Sequence, residues 1–245
     1  MSGGLARTGP PAIVERAARL RWDELGADLD TRGWARVEAL LSPDECRDLA
    51  ALFDEDERFR SRIVMERQGF GRGEYKYFDY PLPETVAELR SALYPPLRPV
   101  AERWSEALRA GVSYPDEHAA FLRRCHEAGQ TRPTPLLLRY GPGDYNRLHQ
   151  DLYGEHVFPL QVAVLLSRPG AEFTGGELVL TEQRPRMQSR AHVVPLDQGD
   201  AVIFAVHHRP GVGKRGYHRV TMRHGVSEVR RGLRHALGVI FHDAQ

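Results

Sequence analysis

The feature that most constrains this chain is a change of texture at Pro135. From there onward, short runs rich in aliphatic and β-branched residues succeed one another: Leu136–Tyr140, Leu160–Leu166, Glu177–Thr181, His192–Pro195, Ala201–Val206, Arg219–Val226 and Arg234–Phe241. Turn signals bound them, among them Gly141-Pro-Gly143, Arg168-Pro-Gly170, Thr174-Gly-Gly176 and Asp197-Gln-Gly199. Runs of this length between Gly/Pro punctuation read as strands, and many short strands at regular spacing read as a sandwich or barrel. Before Pro135 the period is helical. Ser42-Pro-Asp-Glu45 is a helix start, with an N-cap serine, proline at the first position and glutamate at the third. Val86, Leu89, Leu93, Leu97, Val100 and Trp104 recur at three- and four-residue steps between Pro83 and about Ala110, and a further helix is predicted from Pro115 to His126. The chain therefore reads as α+β, with helical support over residues 13–134 and a jelly-roll core over 135–245. Neither half alone has a complete core, so 13–245 is expected to be one domain. Residues 1–12, rich in Gly and Pro, are expected to be disordered.

Composition narrows the chemistry. Cys46 and Cys125 are the two cysteines, far apart and in unlike contexts, which argues against a disulfide framework and against a thiolate metal site. Any metal must be held by imidazole and carboxylate. There is no apolar run long enough to span a bilayer and no secretory h-region near the N-terminus, so the expectation is a cytoplasmic protein with no membrane partner. The net charge of +1 conceals an asymmetry: His207 to Arg234 holds Arg209, Lys214, Arg215, Arg219, Arg223, Arg230, Arg231 and Arg234 against the single acid Glu228. Such a segment is either an anion or nucleic-acid footprint or a solvated arginine-rich loop.

The chemistry-bearing pattern is His149-Gln-Asp151 followed by a later histidine and arginine. On a strand, residues two apart share a face, so His149 and Asp151 would point into one space. Two imidazoles and one carboxylate form the facial set that leaves positions open on a non-haem iron(II). One such tripeptide is near chance expectation; its context raises it. His224-Gly-Val226-Ser-Glu-Val229-Arg-Arg-Gly232-Leu-Arg234 places an arginine ten residues after a histidine, with Val229–Gly232 as a turn that returns Arg234 to the depth of His224. A guanidinium there would grip a carboxylate through two parallel hydrogen bonds, as lysine could not. His218-Arg-Val220 is a rival for the third ligand, although the Val and Gly positions favour His224.

With these residues in view, the chain resembles the 2-oxoglutarate/iron(II) oxygenases. Gly33-Trp34-Ala-Arg-Val37 with Leu40-Leu-Ser-Pro-Asp-Glu-Cys46 looks like their N-terminal entry, Thr174-Gly-Gly-Glu-Leu178 like a recurrent turn and strand, and Gly199-Asp-Ala-Val-Ile-Phe204 like the strand before the last ligand. Arg139-Tyr140-Gly-Pro-Gly143 through Asp151 is similar to the AlkB-type nucleic-acid dealkylases, and the stretch from Gly69 to Asp243 to a bacterial subfamily labelled as oxygenases acting on damaged DNA. The resemblance implies a double-stranded β-helix with iron(II) on His149, Asp151 and His224. It implies 2-oxoglutarate held by Arg234 and touched by Tyr140, O2 as oxidant and ascorbate as auxiliary reductant. The activity implied is hydroxylation of a C–H bond, which at an N-methyl group amounts to demethylation and, on single-stranded or damaged nucleic acid, to DNA repair. The ten-residue interval from His224 to Arg234 is instead the prolyl-hydroxylase one, and Leu138, Ala236 and Ile240 stand where the AlkB type carries polar or basic residues. Hydroxylation of a peptidyl or free amino acid therefore stays open, as does a non-catalytic jelly roll that senses 2-oxoglutarate or metal. Arg67–Phe78, a mixture of Gly, Arg and aromatic residues, is expected to be a lid. No oligomeric state is implied.

Overall fold

The computed structural model describes residues 11–214 and 216–245, so residues 1–10 of the expected disordered stretch lie outside the described residues. The first half runs α1 (Ile13–Ala18), α2 (Trp22–Arg32), β1 (Trp34–Val37), α3 (Pro43–Ala51), β2 (Phe59–Val64), α4 (Met65–Gln68), β3 (Gly71–Arg72), β4 (Glu74–Phe78), α5 (Glu84–Ala107) and α6 (His118–Glu127). The second is all strand: β5 (Leu136–Tyr140), β6 (Tyr145–His149), β7 (Leu160–Leu165), β8 (Phe173–Gly175), β9 (Leu178–Gln183), β10 (Arg190–Val194), β11 (Ala201–Ala205), β12 (His208–Gly213), β13 (Gly216–Val226), β14 (Val229–Gly232) and β15 (Arg234–Val239). A seven-stranded sheet, β1-β11-β7-β15-β5-β4-β2, faces a six-stranded one, β10-β9-β13-β6-β3 with β12 beside β13. The neighbours pair antiparallel, which makes the jelly roll.

The large sheet is covered on both sides, and its sequence shows why. In β11, Ala201, Ile203 and Ala205 face the helical layer beside Leu49, Phe53 and Leu97, while Val202 and Phe204 face the other sheet beside Trp34, Leu178 and Leu180. A strand buried on both faces reads as a continuous apolar run rather than an alternating one. Helix α5 lies in the covering layer and continues through Pro95, Pro96 and Pro99. Its buried Leu93, Tyr94, Leu97, Val100, Ala101 and Trp104 offset the lost hydrogen bonds, since a buried apolar side chain contributes about 1.5–3 kcal/mol and an interior proline costs about 3 kcal/mol. The expected start of α3 is present as a full capping box: Glu45 N–H donates to Ser42 Oγ, and Ser42 N–H to Glu45 Oε2. Asp200 joins the N-terminal entry to the barrel by accepting from Ala39 N at 2.9 Å and from Arg36 Nη2 at 2.6 Å.

Three local expectations are amended. The N-terminal half is not helical support alone, because β1 and β2–β4 complete the two sheets. Residues 67–78 do not form a free lid: β4 is an interior strand between β2 and β5, and Lys76 and Phe78 are buried away from solvent. Val229–Gly232 is a short strand paired with β8 rather than a plain turn. Among the described residues no helix is long and apolar enough to cross a membrane.

Candidate metal centre

Between the sheets lies a cavity of about 430 Å³. The seven-stranded sheet contributes Tyr75, Tyr77, Tyr140 and Arg234 to its wall, and the six-stranded sheet contributes Asn146 and His224. Strands β6 and β13 are directly paired at His149 and His224, so two imidazoles meet across one ladder step with ring centroids 4.1 Å apart. Asp151 lies two residues past His149 but beyond the end of β6, so its orientation comes from its contacts and not from strand alternation. His149 Nε2 stands 3.5 Å from Asp151 Oδ1, and His224 Nε2 3.2 Å from Asp151 Oδ2. One ligand atom from each of the three residues lies within 4.8 Å of the others. A single cation between them would have three first-sphere donors from one side.

The surroundings prepare these donors. His149 Nδ1 meets the carbonyl of Arg147 at 2.7 Å, an N–H donation that leaves Nε2 as the free donor on the cavity side. Burial lowers the His149 pKa, and the neighbouring His224 lowers it further, so the ring is held neutral as a ligand requires. Asp151 accepts from Tyr153 Oη and from Gln161 Nε2, each at 2.9 Å. Burial pushes its pKa up, but the His224 imidazole, then His149 and the Gln161 amide, outweigh that and keep the carboxyl well below the usual range. Phe204 packs on the His224 ring at 4.8 Å between centroids.

Arg234 occupies another part of the cavity wall. It is only 4% exposed, on β15 opposite Tyr140 of β5, with its guanidinium 5.5 Å from the Tyr140 ring centre. Its Nε and Nη1 are buried and have no hydrogen-bond partner among the described residues. Gly176 has φ +64°, and a Cβ there would sit 2.8 Å from Arg234 Cδ and 2.8 Å from Val229 Cγ2. The Thr174-Gly-Gly-Glu-Leu178 turn thus clears space for the arginine shaft. Tyr140 is wholly buried; burial pushes its phenol up to about 12, so it stays a protonated donor. Asn146 Nδ2 donates to Tyr140 Oη at 3.4 Å.

The rival histidine is elsewhere. His218 pairs with Gly211 on the outer ladder of β13 and lines a surface groove with Arg103, Glu106 and Tyr217. His207, His208, His235 and His242 are also outside the cluster. The cationic segment is dispersed: Arg209 is 2% exposed and ion-paired with Glu182, which removes it from any phosphate track, and Arg215 lies outside the described residues. At the cavity mouth stand Phe70, 48% exposed, with Arg147 and Leu148. Sequence reasoning missed Tyr153, Gln161 and Asn146, and placed Tyr77 in a lid rather than in the cavity wall. Gln161 had a signal, being the lone polar residue in the apolar run Leu160–Leu166, and Tyr153 stands two past Asp151.

Comparison with known proteins bears on the family and the fold. A family profile, Oxygenase-NA, described as an oxygenase catalysing oxidative methylation of damaged DNA, matches residues 73–244. Over 177 residues the chain is 48% identical to an uncharacterized protein of Mycobacterium tuberculosis, Rv2227, covering 72% of this chain and 76% of that one. Among solved structures it is similar to a prolyl-4-hydroxylase of Pseudomonas putida, with 18% identity, TM-score 0.52, and 89% and 96% of the two chains covered. It is also similar to an oxidoreductase of the 2OG-Fe(II) oxygenase family from Burkholderia pseudomallei, with 15% identity, TM-score 0.52, and 92% and 93% covered. At these identities the structural likeness is one of fold.

Proposed function

Because the chain belongs to the Oxygenase-NA family, whose profile spans 73–244, we propose that it is an iron(II)- and 2-oxoglutarate-dependent dioxygenase that hydroxylates a C–H bond. His149, Asp151 and His224 are its metal ligands and Arg234 its cosubstrate anchor. One observation carries the reading: a buried guanidinium with unpartnered nitrogens shares one cavity with a two-histidine, one-carboxylate cluster. A buried cation without a counter-ion is costly unless a ligand supplies one. The distal carboxylate of 2-oxoglutarate meets that need, and the two-histidine, one-carboxylate donor set suits iron(II). When bound, iron(II) with 2-oxoglutarate and O2 supplies oxidation of an unactivated C–H bond, coupled to conversion of the keto acid to succinate and carbon dioxide.

The protein's own contribution is orientation and exclusion of water. Tyr153 and Gln161 fix the Asp151 carboxylate, Arg147 O fixes the His149 tautomer, and Tyr140 offers its hydroxyl proton beside Arg234. Tyr75, Tyr77, Leu136 and Ile240 line the cavity with little charge, so a neutral group enters at small desolvation cost.

For the organic substrate we favour an alkylated base of single-stranded or damaged nucleic acid. The family description supports this, and so does the mouth, where exposed Phe70 can stack on a base while Arg147 meets a phosphate. A peptidyl or free amino acid is the second reading, favoured by the ten residues from His224 to Arg234. The test is succinate formation by wild type, Asp151→Ala, His224→Ala and His218→Ala with methylated single-stranded oligonucleotides and with peptides. Turnover is expected to vanish in the Asp151 and His224 variants, persist in the His218 variant, and release formaldehyde with the oligonucleotides. Stimulation by peptides alone would replace the nucleic-acid reading with the second.

A further inference from the structure

The loop that follows Asp151 is wrapped around one buried amide that belongs to another part of the chain. Gln130, just after α6, is fully buried. Its Nε2 donates to Tyr153 O at 3.1 Å, His156 O at 3.1 Å and Asp243 O at 2.6 Å, and its Oε1 accepts from His156 N at 2.7 Å. Two N–H groups thus serve three carbonyls, so the amide is saturated, and all its partners are backbone. Gly154, at φ +84°, lies against it so closely that a Cβ would run into Gln130 Cδ. The same loop residue, Tyr153, donates from Oη to Asp151 Oδ1 at 2.9 Å, and Tyr77 lies 2.9 Å from that hydroxyl. The backbone of Tyr153 is therefore fixed by Gln130, and its side chain ends on the carboxylate of the cluster.

We infer that Gln130, acting through Tyr153, is a positioning residue for the Asp151 carboxylate, and that it ties the C-terminal Asp243 to the metal centre. The inference rests on the reading that His149, Asp151 and His224 bind the metal. A freely rotating Asp151 would divide its time among rotamers of which one faces both imidazoles. Gln161 holds one carboxylate oxygen, and the Tyr153 hydroxyl holds the other only while the loop backbone is held. Partners one step removed from a metal typically change its affinity by about 10–100-fold when removed.

The test uses the full-length protein and Mn(II) or Co(II) binding without oxygen, so that no turnover is needed. Tyr153→Phe is expected to weaken metal binding by about 10–100-fold, and Gln130→Met by up to as much because it acts only through Tyr153. The double variant is expected to be no weaker than the worse single one, because both act through one contact. Should Gln130→Met fail to fold, Gly154→Ala, which displaces the amide, is expected to weaken metal binding in the same way and to add nothing to Tyr153→Phe. Variants that lower the melting temperature yet bind metal within twofold of wild type would overturn the inference, as would additive losses. Wild type that binds no divalent metal, or an Asp151→Ala variant that binds it normally, would instead remove the metal reading itself and this inference with it.

Discussion

Arg90 and Arg234 are both buried guanidiniums, 1% and 4% exposed, and they differ in everything that surrounds them. Arg90, on α5, donates from Nε to Ile240 O at 2.8 Å, from Nη2 to Asp243 Oδ1 at 2.8 Å and from Nη1 to Tyr80 Oη at 3.2 Å. Asp243 in turn accepts from Tyr80 and meets His126 Nε2 at 2.8 Å. Arg234 has aromatic rings about it, Tyr140 and Phe173, and among the described residues its buried Nε and Nη1 have no hydrogen-bond partner. A cation saturated by its own chain is a structural cross-link. One buried beside a cavity without a partner among the described residues fits the proposed role of an anion anchor. The contrast separates stability from binding more cleanly than burial or charge taken alone.

The contrast breaks first, and by the largest amount, at Arg90. Arg90→Leu leaves the Asp243 carboxylate buried without its cation, and losing one partner of such a pair typically costs about 3–5 kcal/mol. Chemical denaturation is expected to show that loss, while 2-oxoglutarate affinity in the protein that remains folded stays unchanged. A variant as stable as wild type would end the structural assignment.

Arg234→Leu should behave in the opposite way. It removes an uncompensated buried charge, so the unliganded protein is expected to keep its stability or gain slightly. Its affinity for 2-oxoglutarate should fall by roughly 100-fold or more, since a bidentate carboxylate pair comprises two charge-assisted hydrogen bonds worth about 1.5–3 kcal/mol each. Arg234→Lys should recover only part of this, because an ammonium lacks the planar fork. Anaerobic titration of the manganese-loaded protein with 2-oxoglutarate reads both. Unchanged affinity in Arg234→Leu would place the cosubstrate anchor elsewhere.

The two arginines also show what a sequence discloses. Arg234 could be singled out in the sequence because its signal is local, a fixed interval after His224. The strands after Pro135 were legible for a similar reason, since Gly and Pro punctuate them. Arg90 was hidden inside the helical stripe of α5, its partners Ile240 and Asp243 150 residues and more away along the chain. Arg209 misled in the same manner, as its charge suggested a phosphate contact while its partner Glu182 sits 27 residues earlier and out of solvent. Strands β2 and β4 escaped because Arg60, Arg62 and Lys76 interrupt the apolar alternation; Lys76 is buried all the same, its ammonium on Phe53 O and Asp56. Tyr153 and Gln161 act on Asp151, but only the closed barrel brings Gln161 to it. Spacing along the chain picked out His149, Asp151 and His224, which the fold brings together; the groups around them are revealed only by folding.

The smallest effect sharpens the Arg90 side of the comparison. His118, on α6, is 7% exposed, and its Nε2 donates to Phe241 O at 2.7 Å. Burial is the main reason its pKa falls to about 4, the Arg90 charge adds to it, and Phe241 O and the Asp243 carboxylate oppose. In the unfolded chain the same ring titrates near 6.5. Below that pH the unfolded state binds a proton that the folded state refuses, so protons favour unfolding. Stability is therefore complete above about pH 6.5 and declines as pH falls towards 4. Between pH 6.5 and 5 the loss from this one histidine is about 1.5 kcal/mol, approaching about 1.4 kcal/mol per pH unit once the unfolded ring is mostly protonated. His118→Gln keeps a neutral donor near Phe241 and is expected to lose some stability at pH 7 but to have a slope shallower by that amount. Were the two slopes equal, the ring would already accept a proton in the folded state, and the saturated surroundings of Arg90 would have to admit a second cation.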